Sequence, residues 1–154
     1  MTPLEHAAAI LVSLADVAGV GGLPDTQVVG VGDAVIACAE ARVTLATVML
    51  EPNLLNAWAC DVAETATYLV SIARECAWTA NDDGTENYPK LAEVVGIVDA
   101  DVAALTALFK SFHVGEADVT GGAVGWGATR AGTIAVTTSG GLIVSTLTLT
   151  VGVP

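Results

Sequence analysis

The stretch TIAVTTSGGLIVSTLTLTV, residues 133–151, decides how the rest of the chain is interpreted. It is rich in β-branched residues and is divided by a Ser-Gly-Gly turn at 139–141, which predicts a β-hairpin. Arg130 is the last charged residue of the chain, so no charge protects the edges of this hairpin. An uncharged strand edge must be covered, closed into a barrel or used for pairing. We therefore expect residues 132–154 to act in assembly.

Two arrangements of this hairpin are open. It can form a sheet between subunits, or it can fold back to complete the core of its own chain. Alternation places Ile134 with Val136 on one face and Leu147 with Leu149 on one face, but residues 142–146 break the phase, as a bulge would. We favour the sheet between subunits. The expected interface residues are then Trp126, which only glycines flank, and the aliphatic residues Ile134, Val136, Leu142, Val144, Leu147, Leu149 and Val151.

The composition also indicates that the chain has partner subunits. The chain has 154 residues, 53% of them hydrophobic, and a mean hydropathy of +0.66, which exceeds what the core of one domain needs. Its apolar stretches are all interrupted by charges, as at Asp16, Glu40 and Arg42, so we expect no membrane span. Neighbouring subunits would account for the surplus of apolar residues.

The net charge is −12, from 17 acidic and 5 basic residues. The basic residues are scattered singly, whereas nucleic-acid binding needs clustered cations. We therefore expect no specific nucleic-acid binding. DNA could still pass near such an acidic surface without adhering to it.

The remainder of the chain predicts a mainly α fold, a bundle of about five helices. A capping box at Thr2 and Glu5, with Pro3 in the first helical position, predicts a first helix over residues 3–18. Residues 25–32 are a linker with a short strand at most, at 27–29. Further helices are predicted over 34–51, 54–80, 89–98 and from about 101 to 112. The third carries a seam at spacings of three and four, formed by Leu55, Trp58, Val62, Thr65, Leu69, Ile72 and Cys76.

Three domains of structure follow from this pattern. Residues 1–115 are predicted to form the helical body, and residues 116–131 a glycine-rich arm. Residues 132–154 are predicted to form the uncharged hairpin, which the arm would hold at some distance from the helical body.

No pattern in the sequence predicts catalysis. His6 and His113 lack the spaced partners of a metal site or a catalytic triad. The acidic loop at 81–87 does not have EF-hand spacing, and the glycine-rich segments at 19–22 and 30–33 lack the rest of a phosphate-binding motif. The three cysteines, of which Cys76 could meet His113 as a nucleophilic pair, are expected to be buried thiols in a reducing compartment. We expect no enzyme, no cofactor and no metal.

This layout of acidic helical body, glycine-rich arm and β-rich C-terminus resembles the head-to-tail connector proteins, or adaptors, of long-tailed bacteriophages, and the alanine, valine and glycine bias suggests an actinobacterial phage. The resemblance implies a structural subunit of the virion neck that joins portal to tail and forms a homo-oligomer, which in that family is a twelve-membered ring. Implied partners are further copies of the chain and portal, tail or neck proteins, and the implied location is the virion, assembled in the host cytoplasm. A capsid or tail accessory (decoration) protein forming a smaller homo-oligomer is the alternative.

Overall fold

A computed structural model describes residues 2–19, 21–32, 36–52, 62–75, 79–80, 86–87, 91–113, 129–139 and 141–153. Within these ranges the chain is an α/β protein with two helices, a five-stranded mixed sheet and a two-stranded ribbon. The predicted mainly α bundle of about five helices is therefore wrong. The helices are α1 (Pro3–Val17) and α2 (Leu91–His113), and the strands are β1 (Gln27–Val31), β2 (Glu40–Pro52), β3 (Val62–Glu75), β4 (Thr79–Ala80), β5 (Glu86–Asn87), β6 (Thr129–Ser139) and β7 (Leu142–Val153).

The first helix forms as the sequence predicts. The Thr2 hydroxyl accepts from the Glu5 amide at 3.3 Å, and the Thr2 amide donates to the Glu5 carboxylate at 2.6 Å, which completes the capping box. The predicted helices at 89–98 and 101–112 are instead one continuous helix, α2.

The predicted helices at 34–51 and 54–80 are wrong where the structure describes them, because β2 and β3 occupy these segments. In β3, Ala66, Tyr68, Val70 and Ile72 are all buried and alternate with residues of the other face. The supposed seam splits between the faces: Thr65 and Leu69 lie on one side of the strand and Ile72 on the other. A period of two governs this segment because its β-branched and aromatic residues suit a sheet.

The main sheet has the strand order β1-β2-β3-β7-β6. β1 runs parallel to β2, and every other neighbouring pair is antiparallel. The predicted hairpin is confirmed as β6 and β7, with Gly141 in the turn at a φ of +81°. However, β7 lies between β3 and β6, so the hairpin belongs to the same sheet as residues 27–75 rather than to a separate unit.

Both helices pack on one face of this sheet. Their buried residues include Ile10 and Leu14 from α1 and Leu105 and Leu108 from α2. They meet a sheet surface formed by Ala41, Val43, Ala66, Tyr68, Val70, Ile72, Leu147, Leu149 and Val151. Among the described residues no helix packs on the opposite face of the sheet, which we call the helix-free face and which carries many hydroxyl groups.

Candidate assembly interface

The sheet has two edges, β1 and β6, and among the described residues each pairs on one side only. β6 is 11 residues long, and Arg130 is its only charged residue. Residues 132, 133 and 135–138 are exposed along it. Natural edge strands are usually shortened, bulged or charged in the middle to prevent pairing with other chains. Beyond its first two residues, which hold a bulge opposite β7, β6 has none of these protections.

The other edge, β1, presents backbone groups outward at defined residues. The Thr26 carbonyl accepts from the Ala41 amide at 2.9 Å, and the Gly32 amide donates to the Leu45 carbonyl at 3.0 Å. In a parallel pair, alternate residues bond to the neighbouring strand, so the even-numbered residues of this segment face β2. The amide and carbonyl groups of Gln27, Val29 and Val31 therefore point away from the sheet.

Both edge strands carry exposed valines on the same face of the sheet. Val29 and Val31 lie opposite Val43 and Leu45, on the side of the sheet where the helices pack, and are 39% and 66% exposed. At the other edge Val136 is 44% exposed, two residues beyond Ile134, which packs on the core. Each edge thus offers an apolar surface continuous with the helix-covered side of the sheet.

The helix-free face is held by pairs of hydroxyl groups between β3 and β7. Thr67 and Thr150 lie 3.2 Å apart through their hydroxyl oxygens, and Ser71 and Thr146 lie 2.9 Å apart. Such cross-strand hydrogen bonds satisfy polar side chains within the sheet. These hydroxyl pairs make the β3–β7 part of this face polar, and the Arg42–Glu40 ion pair on β2 lies beside Ser71.

The predicted interface residues divide into three groups. Leu147, Leu149 and Val151 are buried beneath the helices in the core of their own chain. Leu142 and Val144 are buried on the helix-free face with Ala73 and Ile36. Ile134 and Val136 lie on the edge strand β6, whereas Trp126 lies outside the described residues.

Of the two predicted arrangements, the chain therefore adopts the one in which the hairpin completes the core of its own chain. Of the predicted interface residues that the structure describes, only those on β6 lie at an edge of the sheet. The sequence interpretation missed Val29 and Val31, because five residues beside a glycine-rich linker are too few to show a period. The signal that the sequence does offer is a short uncharged segment with three valines, Gln27–Val31, which favours a strand.

Most exposed charges lie away from these edges, and the charged group nearest to β1 is the Arg42 guanidinium, which lies beside Gly30. Arg42 pairs with Glu40 at 3.2 Å on β2, and Arg74 pairs with Asp101 at 2.8 Å, so two of the five basic residues are used inside the fold. The exposed described acids lie on the helices, in the α1–β1 loop and at the ends of β3, at Glu5, Asp16, Asp25, Glu64, Glu75, Glu93 and Asp99. Two copies of this acidic chain repel each other over most of their surfaces, but not along β1 or the exposed stretch of β6.

Little else in the described ranges carries reactive groups. No cluster of three metal-ligating side chains is present there, and none of the described helices is long and apolar enough to cross a membrane.

His6 is buried, and its Nδ1 lies 3.1 Å from the Tyr68 hydroxyl. Cys38 is exposed, so the expected burial of all three thiols is wrong for this residue. Cys60, Cys76 and the 81–85 part of the acidic loop lie outside the described residues.

Comparison with known proteins adds no relative: no protein-family model matches the chain, and no curated protein matches it. The proposals below therefore depend on the geometry of the sheet.

Proposed function

We propose that this protein is a structural subunit that assembles with copies of itself through the edges of its sheet, as a ring in the neck of a bacteriophage virion. The observation that carries the proposal is that β6 forms an edge of the sheet whose exposed stretch is uncharged. This stretch includes Val136, which is 44% exposed. Pairing along this edge would satisfy a row of backbone groups and remove an apolar side chain from water.

The distribution of charge supports self-association at the edges rather than at other surfaces. A net charge of −12 opposes the approach of two copies wherever carboxylates meet. Residues 131–139 carry no charge at all, and neither do residues 27–31. These are the places where copies can meet at the smallest electrostatic cost.

The setting in a phage neck comes from the resemblance in layout, except for the helical body, because the described residues form an α/β fold instead. What continues to support that setting is the combination of an acidic chain, uncharged β edges and a surplus of apolar residues. In such a ring the partners would be further copies of the chain and the portal, tail or neck proteins above and below. An acidic ring would also let DNA pass without holding it.

A matched pair of valine substitutions tests the proposal. Val136→Glu places a carboxylate where the edge must be desolvated on pairing, whereas Val12→Glu places it on the exposed face of α1, where Val12 is 63% exposed. We expect sedimentation velocity to give an oligomer for the wild type and for Val12→Glu, and a monomer for Val136→Glu.

The outcomes of this experiment distinguish between the possible functions. A wild-type protein of 15.5 kDa at all concentrations would overturn self-assembly altogether. An oligomer that survives Val136→Glu would overturn the role of the β6 edge. The mass of the oligomer distinguishes a neck ring of many subunits from the smaller particle expected of a capsid or tail accessory protein.

A further inference from the structure

The two free edges of the sheet differ in sequence, and their strands run in opposite directions. With β2 taken as up, β1 also points up, β3 down, β7 up and β6 down. When a second copy is placed beside the first in the same orientation, β6 of one copy therefore meets β1 of the next in an antiparallel sense. Antiparallel pairing needs no crossover and is the commoner kind.

From this geometry we infer that β6 of each subunit pairs with β1 of the next, so that one continuous sheet runs through the assembly. The inference rests on the proposed function and names its contact. It joins two different surfaces, which is the kind of interface that generates rings, whereas pairing of β6 with a second β6 would close a two-fold dimer.

The side chains of the two edges fit this pairing. Val29 and Val31 on β1 and Val136 on β6 lie on the same face of the sheet, the face that carries the helices. In an antiparallel pair, side chains on one face come within about 5 Å of each other, so these exposed valines would cover one another. On the helix-free face the approaching residues are Val28 and Gly30 from one edge and Thr133, Ala135 and Thr137 from the other, none of them charged. The nearest charge on this face is the Arg42 guanidinium beside Gly30, which is paired with Glu40.

The backbone groups fit as well. Gln27, Val29 and Val31 each direct an amide and a carbonyl away from β2, which is the pattern a further strand requires. The five residues of β1 are fewer than the eleven of β6, so the longer strand can accept the shorter one without a gap.

The pairing also determines which way each subunit faces. Because α1 and α2 lie on one face of every subunit's sheet, a continuous sheet places these two helices of every copy on one side of the assembly and the helix-free faces on the other.

Cysteine cross-linking tests which edges meet. The variant carries Val29→Cys and Val136→Cys, with the exposed Cys38 changed to Ser, and is treated with a bis-maleimide spanning about 10 Å. The two new cysteines of one chain lie on opposite edges of five strands, roughly 19 Å apart at the usual strand spacing, so a link within one chain is out of reach. We expect ladders of dimers, trimers and higher species, with peptide mapping showing links between residues 29 and 136.

The controls are the two variants with a single new cysteine. Val136→Cys alone should give no cross-linked dimer, because each β6 faces a β1. Links between two copies of residue 136, or between two copies of residue 29, would overturn the inference in favour of two-fold pairing and would leave self-assembly standing. An oligomer without any 29–136 link would likewise overturn the inference, and a monomer would overturn both proposals.

A backbone substitution gives an independent test. Val29→Pro removes the outward amide while the hydrogen bonds of Val28 and Gly30 to β2 remain, and Val29→Thr keeps both the amide and the β-branched shape. We expect Val29→Pro to be folded by circular dichroism and to lose the oligomer, with Val29→Thr unchanged. A folded Val29→Pro protein that still assembled as the wild type does would overturn the β1 contact.

Discussion

The fold alters the chemistry of His6. Its Nδ1 lies 3.1 Å from the Tyr68 hydroxyl, which donates its one hydrogen to the Pro3 carbonyl at 3.0 Å. The hydrogen between the two side chains must therefore come from Nδ1. Burial lowers the pKa of His6 from 6.5 to about 4, because a charged imidazolium would lose its hydration. This pair ties the start of α1 to the middle of β3.

The His6 pKa predicts acid sensitivity. As the pH falls below 6.5 the unfolded chain binds the proton first, so the stability from neutral His6 is complete above pH 6.5 and is lost as the pH approaches 4. We expect a loss of up to about 3 kcal/mol over this range. Urea unfolding of the wild type and of His6→Gln across the range checks this, since glutamine does not titrate. Parallel pH profiles for the two proteins would contradict it.

A second residue-level prediction concerns Arg74. Its guanidinium contacts both oxygens of Asp101, which is buried on α2, at 2.8 Å and donates to the Gly22 carbonyl at 2.9 Å. Arg74→Gln leaves the Asp101 carboxylate buried without its partner, so we expect a loss of about 3–5 kcal/mol in the free energy of unfolding.

The control is Arg42→Gln, because the Arg42–Glu40 pair joins two residues of one strand at 3.2–3.3 Å and connects no separate elements. We expect it to cost about 1–2 kcal/mol. Equal losses measured by urea unfolding would show that Arg74 does not tie α2 and the α1–β1 loop to the sheet.

At the scale of elements, the contact between α2 and β6 depends on a glycine. A Cβ atom placed on Gly132 would lie 2.6 Å from the Phe109 ring. We expect Gly132→Ala to lower the free energy of unfolding by about 1–3 kcal/mol, because the ring or the strand must move. Gly152→Ala on β7 is the control, since a Cβ there meets nothing within 4 Å. Thermal unfolding in which both variants behave alike would contradict this contact.

The sequence predicts some of these elements well and others badly for a physical reason. α1 has a capping box and glycine stops, and the hairpin has β-branched strands around a glycine turn; both signals are local and both elements form. β2 and β3 contain alanine, leucine and methionine among their β-branched residues, and these favour a helix when counted alone. The strand state of β3 depends on pairing with β7, almost 80 residues away, and that of β2 depends on pairing with β3. No local sequence pattern reveals the pairing with β7.

The candidate interface was predictable in part. The absence of charge after Arg130 correctly draws attention to β6, but it cannot tell β6 from β7. Both strands of the hairpin are equally uncharged, and only the strand order makes one of them central and the other an edge.

At the scale of the whole molecule, the tail is indispensable to the fold. β7 pairs with β3 over residues 64–75 and contributes Leu147, Leu149 and Val151 to the core. We therefore expect deletion of residues 131–154 to abolish cooperative unfolding, because it removes β7 and most of β6, two of the five strands of the sheet, together with these core side chains. Circular dichroism during thermal unfolding checks this, and a truncated chain with a native-like transition would contradict it.

The central claim is that the two edges of the sheet are paired between copies, and amide hydrogen exchange on the assembled wild-type protein measures this directly. The account predicts that the outward amides of Val29 and Val31, and those of the β6 residues that pair with β1, exchange as slowly as the amides of β3 and β7, and that Val29→Pro restores fast exchange in this part of β6. Edge amides that exchange quickly in the wild-type protein, while β3 and β7 remain protected, would contradict it.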